Sequence, residues 1–100
     1  MRLIYLPQNE EERIKSALKT SDKVHTVIIA SEYGKYKKGD YVKTLGGDRL
    51  VVSDAKIITN FDHFKKELVH YPELKNTNLD DVKQAFTHKK VEIIELRKYR

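Results

Sequence analysis

The sequence predicts a small α+β domain: a strongly bent antiparallel or mixed sheet, a partly closed barrel, with helices at its periphery. Three observations carry this expectation. Residues 24–30, VHTVIIA, are a nearly continuous β-branched run, which suits a strand covered on both faces. Between residues 24 and 59 the connections are short, with a Gly39-Asp40 turn and a Gly46-Gly47-Asp48 hairpin loop, so the strands there pair mainly antiparallel. Segments with helical apolar spacing lie outside that region, giving the order β-α-β-β-β-α-α-β.

The first strand, residues 3–6, ends at Pro7, which cannot donate to a ladder. Asn9 with Glu12 three residues on has the spacing of a capping box, and Glu10, Glu11 and Glu12 suit the helix dipole. Ile14, Ala17 and Leu18 then repeat on one helical face, and Thr20-Ser21-Asp22 ends the helix. After the central strand, residues 31–38 form a polar loop containing Gly34, and strands follow at residues 41–45 and 49–59. Asp54 in the middle of the latter predicts a bulge or a solvent-facing position.

Asn60 caps a second helix with Phe61, Phe64 and Leu68 on one face, and Pro72 stops it. Residues 73–77 read as a loop. Asn78 caps a third helix with Leu79, Val82 and Phe86 inward. The last strand, residues 91–96, alternates Val91, Ile93 and Glu95 with Glu92, Ile94 and Leu96, before a basic, solvated tail of Arg97, Lys98, Tyr99 and Arg100.

One hundred residues is one small domain with one core, spanning residues 1–100. The absence of cysteine excludes disulfides and cysteine-based zinc sites. The four histidines, His25, His63, His70 and His88, lack ligand spacing, so no metal and no cofactor is expected. No signal-peptide core and no apolar run of membrane-spanning length is visible, so a cytoplasmic protein without membrane contact is expected. The net charge of +5, from 20 basic against 15 acidic residues, favours an anionic partner such as nucleic acid, although solubility alone also accounts for it.

Two groups of residues carry candidate chemistry. Lys35, Tyr36, Lys37, Lys38, Tyr41 and Lys43, with Arg49, interleave charge and aromatic rings. Lysines neutralise phosphates and tyrosines stack on unpaired bases; a solvated loop whose rings cover the sheet is the alternative. Lys23 and Thr26 form the second group. A lysine desolvated in a cleft can act as a base and activate a hydroxyl or a water. Residues three apart in a regular strand point to opposite faces, so the pair meets only where Lys23 precedes the strand or the strand is distorted.

The motifs Lys23-Val24-His25-Thr26, Lys37-Lys38-Gly39-Asp40 and Asn60-Phe61-Asp62-His63-Phe64, followed by the helix from Leu79 to Phe86 and the terminal VEIIEL strand, resemble in order and spacing the ASCH domain of the PUA-like superfamily. That resemblance covers almost the whole chain. It implies a PUA-like barrel that binds RNA or a modified nucleoside in a cleft beside the Lys-x-x-Thr strand. Small bacterial members act as amidohydrolases on N4-acetylcytidine with a Lys, a Thr and a Glu as the catalytic set. It thus carries Lys23 and Thr26 over. The family's strand Arg falls at Ile28 and the Gly before the Lys at Ser21. The position best aligned to its Glu is Lys75, and the nearest carboxylate is Glu73. The resemblance leads to two expected functions, a nucleoside- or RNA-binding module and an amidohydrolase using Lys23, Thr26 and Glu73. Small size and high Lys, Tyr and Ile usage fit a third, a protein-interaction factor such as a small phage or accessory protein that blocks a host nucleic-acid enzyme. Oligomeric state is left open.

Overall fold

A computed structural model describes residues 1–99; the expectation for Arg100 lies outside them. The described residues form β1 (Arg2–Leu3), α1 (Gln8–Ala17), β2 (Lys23–Ala30), β3 (Tyr41–Lys43), β4 (Arg49–Ile58), α2 (Phe61–Leu68), a 3-10 turn (Pro72–Leu74), α3 (Leu79–Ala85) and β5 (Lys90–Lys98). The strands make one mixed five-stranded sheet in the order β1-β3-β4-β5-β2. The β1–β3 pair is parallel, and β3–β4, β4–β5 and β5–β2 are antiparallel. The sheet is open: β1 and β2 are its two edges, and no ladder joins them among the described residues.

Alternation along the strands divides the interior into two apolar layers, because successive side chains point to opposite faces. Val24 and Ile28 of β2, with Ile94 and Leu96 of β5, meet Ile14 and Leu18 of α1 and Tyr36 of the following loop. Val27 of β2, with Val91 and Ile93 of β5, meets Phe64 of α2, Leu74 and Val82. The continuous apolar run of β2 is thus explained by cover on both faces, although β2 is an edge strand.

Several boundaries differ from the sequence reading. Helix α1 starts at Gln8 with Pro7 at its N-cap position, and the Pro7 carbonyl accepts from the amides of Glu10 and Glu11. Asn9 therefore lies inside the helix, and no side chain caps it. The first strand is two residues long and ends before Ile4, which is buried. The loop expected at residues 73–77 begins as the 3-10 turn, with Pro72 in its first position, where a missing N–H costs nothing. Arg97 and Lys98 are ladder residues of β5, opposite Lys23 and Val51 or Leu50, and are not part of a solvated tail.

Other local expectations match. Asn60 and Asn78 accept from the amides of His63 and Asp81 and cap α2 and α3. The β4–β5 register shifts between Val52 and Asp54, the bulge that Asp54 predicts. Gly39 and Gly47 hold φ of 97° and 96°, the left-handed values that their turns require. Among the described residues, no helix is long and apolar enough to cross a membrane.

Candidate functional site

A cleft of about 680 Å³ opens along the free edge of β2. One wall comes from the segment after β1, α1 and the loop after β2; the other comes from the 3-10 turn and the start of α3. The cleft thus lies where the two layers project past the last strand.

Its polar floor is a connected network. Thr26 is only 1% exposed, yet its hydroxyl donates to Glu10 Oε2 at 2.6 Å. Arg13, one helical turn after Glu10, donates from Nε to Oε1 at 2.6 Å and from Nη2 to Oε2 at 3.0 Å. The same Nη2 donates to the His25 carbonyl at 2.7 Å, tying α1 to the edge of β2. From the other wall, Glu73 accepts from the His25 amide. His25 thus has its amide held from one side of the cleft and its carbonyl from the other.

The Arg13 guanidinium holds the Glu10 carboxyl below the ordinary carboxylate range; burial opposes this and the Thr26 hydroxyl adds to it. Reciprocally, Glu10 raises Arg13. A carboxyl depressed on folding stabilises the fold fully above its unfolded value of about 4.3, and that contribution is lost as pH falls through the lower folded value. Urea midpoints should therefore fall below about pH 4.5, and Glu10→Gln should make that acid limb shallower. An unchanged limb would show that Glu10 is not linked to folding.

Lys23 does not join Thr26. It is a ladder residue opposite Arg97, and the regular alternation of β2 puts it on the other face with His25. There its ammonium lies 3.6 Å from Glu95 Oε2. Glu95 also receives Ser53 Oγ at 2.8 Å, contacts His25 Nε2 at 3.1 Å and has Arg97 Nη2 at 3.4 Å. Burial pushes the Glu95 carboxyl up, but Ser53, Lys23 and His25 together bring it below its usual range. The His25 ring packs against Tyr71 at a tilt of 49°, centroids 4.5 Å apart, with Nδ1 3.3 Å from Glu73 Oε1 but misaligned for a hydrogen bond.

Glu73, in contrast, does line the cleft with Thr26. Position 75, where the family's Glu is expected, holds an exposed Lys75 outside the cleft lining. Of the basic-aromatic group, Lys35 and Tyr36 reach the cleft; Lys37, Lys38, Tyr41, Lys43 and Arg49 do not line it. Tyr36 is 3% exposed, and its hydroxyl donates to the Leu3 carbonyl at 3.5 Å, so its ring is part of the core and is not a free stacking platform. Lys35 Nζ lies 6.0 and 5.6 Å from the ring centres of Tyr5 and Tyr36, a cation held at the mouth by aromatic faces. Tyr41 is exposed and packs edge-on to Tyr99 at 5.2 Å. Lys43 and Arg49 face each other across the β3–β4 hairpin.

Sequence reasoning missed Glu10, which it read only as a helix-dipole charge, and did not single out Arg13. Their signal was present: three apart, they fall beside Ile14 and Ala17 on the inward face of α1.

No family model and no curated protein matches the chain. A solved structure of a hypothetical protein, PH0355, is similar over 99% of this chain and 100% of its own, with a TM-score of 0.60 and 16% identity. At that identity the likeness concerns the fold alone: this chain has the same overall α+β arrangement as the hypothetical protein PH0355.

Proposed function

We propose that the chain is a small ASCH-like module that binds RNA or a modified nucleoside, with the base in the cleft beside β2. In this reading the open sheet is a PUA-like barrel, and the cleft opens in the gap between its two unjoined edges, β1 and β2. The observation that carries the reading is the buried Thr26 hydroxyl on the cleft floor, fixed by Glu10 and Arg13 and faced by Glu73. A concave site with a few convergent polar groups among apolar side chains is the usual form of a small-molecule site. Lys35 at the mouth places a cation where a phosphate attached to the nucleoside would emerge.

A second reading, an N4-acetylcytidine amidohydrolase, is favoured by Glu73 sharing the cleft with Thr26. Glu73 would take a proton from a water whose oxygen bonds to the acetyl carbon and pass it to N4 as the C–N4 bond breaks, releasing acetate and cytidine. Lys23, paired with Glu95 on the other face, would need a rearranged strand to take part.

Calorimetric titration with cytidine and N4-acetylcytidine, alongside an acetate-release assay, tests both. Thr26→Val should weaken binding about tenfold, the loss of one polar contact at a buried hydroxyl. Binding of a short RNA should weaken as salt rises and with Lys35→Glu. Acetate release by the native protein, abolished in Glu73→Gln, would favour the second reading. Absence of nucleoside and RNA binding would overturn the first.

A further inference from the structure

The free edge of β2 presents backbone groups to the cleft. The His25 amide donates to Glu73 and its carbonyl accepts from Arg13, so both His25 backbone groups point away from β5. In an antiparallel pair this direction alternates with period two. Thr26 and Ile28, opposite Ile94 and Glu92, therefore exchange ladder bonds with β5, and Val27 and Ile29 turn their N–H and C=O groups outward. Val27 and Ile29 line the cleft. At the end of the cleft nearer Lys23 the edge is occupied by Glu73 and Arg13, and past Ala30 the chain leaves the sheet.

Only two outward-facing residues of the edge remain, about 7 Å apart. A docking peptide strand would find little ladder there, since strands average about five to six residues. A flat ring suits the space better. Leu6 and Tyr36 belong to one layer, Leu74 and Val82 to the other, and all four line the cleft on either side of the β2 edge. Between apolar walls, an outward N–H and C=O on one residue match a heterocycle carrying an acceptor beside a donor.

Resting on the nucleoside reading above, we infer that the Val27 backbone is the base-reading element: its N–H donates to a ring acceptor and its C=O accepts from the adjacent N–H of a planar nucleobase. In cytosine these are N3 and the N4 amino group. Recognition by backbone leaves little trace in side-chain identity, so this site tolerates any residue at position 27 that keeps its backbone N–H, which excludes only proline.

Nitrogen–proton correlation spectra of the native protein, titrated with cytidine and with N4,N4-dimethylcytidine, test the inference. In the free protein the Thr26 and Ile28 amides should exchange with solvent at least a hundredfold more slowly than that of Val27. Cytidine should move the Val27 amide signal downfield and protect it. The dimethylated nucleoside, which lacks the donor, should bind about tenfold more weakly. Val27→Pro removes an N–H that no ladder uses, a position where an edge strand accepts proline, and should also weaken cytidine about tenfold. If that variant does not fold, the native spectra decide. Cytidine binding that perturbs Thr26 and Glu73 but not the Val27 amide would overturn this inference and leave the nucleoside reading standing. No binding of either nucleoside would overturn this inference, and, where RNA is not bound either, the nucleoside reading with it. Protection of Val27 and Ile29 by an extended peptide, with no response to cytidine, would instead make the edge a strand-docking site.

Discussion

Phe64→Ala is expected to cost about 3–5 kcal/mol of folding stability. Phe64 is fully buried and packs with Ile58, Leu74, Val82, Val91 and Ile93. Its layer is drawn from six elements: β2, the end of β4, α2, the 3-10 turn, α3 and β5. Deleting the ring removes its transfer energy and leaves a hole that these elements cannot all close at once. For a domain whose total stability is on the order of 5–15 kcal/mol, that loss is a large fraction, and Tm should fall on the order of 15–30 °C. Urea and thermal unfolding followed by circular dichroism measure it. Lys66→Ala, on the exposed side of the same helix, should stay within about 0.5 kcal/mol and serves as the control. A Phe64 variant as stable as that control would mean that the second layer is not a packed core.

Arg13→Ala should have the next largest effect, about 2 kcal/mol, and should also weaken ligand binding. The guanidinium makes two hydrogen bonds to Glu10 and one to the His25 carbonyl, with side-chain exposures of 28% for both Arg13 and Glu10. Its removal leaves a partly desolvated carboxylate with only the Thr26 hydroxyl as donor, and leaves the His25 carbonyl without its side-chain partner. Truncating one partner of such a pair costs more than the pair contributes in net terms. Glu10 should also titrate at a higher pH in the variant, because the largest cause of its depression is gone. Arg13→Lys should restore the charge but not the forked contact, so its stability should lie between the two. Denaturant titrations of the three proteins at pH 7, with calorimetry against cytidine, give both readouts. Equal stability of all three would show that the Glu10–Arg13–His25 link carries no energy.

Much of the fold was legible because local chemistry and tertiary structure agree here. Asn60 and Asn78 cap as their positions imply, Asp54 marks a bulge, and the β-branched run at residues 24–30 is covered on both faces. Legibility failed where a boundary depends on a neighbour. Pro7 took the cap position from Asn9 because its carbonyl is free to accept the first helical amides. Arg97 remains in the sheet because β2 and β4 lie on either side of it, and Lys98 because it pairs with Leu50 of β4, which a basic composition does not reveal. The same holds at the cleft. Thr26 and Glu73 could be named from the chain, but their meeting depends on the 3-10 turn reaching the edge of β2. Period two sends Lys23 to the opposite face. Glu10 and Arg13 were hidden because a charged pair on a helix reads as surface until its neighbour is known to be a buried threonine.

The sheet order also has a consequence for how the chain is assembled during synthesis. The strand at the junction of β4 and β2 is β5, which leaves the ribosome after the other four. Until residues 90–98 emerge, β2 has no ladder partner, and β4 has only the short β3. Both long strands must wait with apolar side chains and backbone groups exposed. Docking β5 joins the two halves of the sheet and completes both apolar layers in one step, which makes folding strongly non-local and hence slow for a chain of this length. A nascent chain stalled before residue 90 would expose the edges from which aggregation starts.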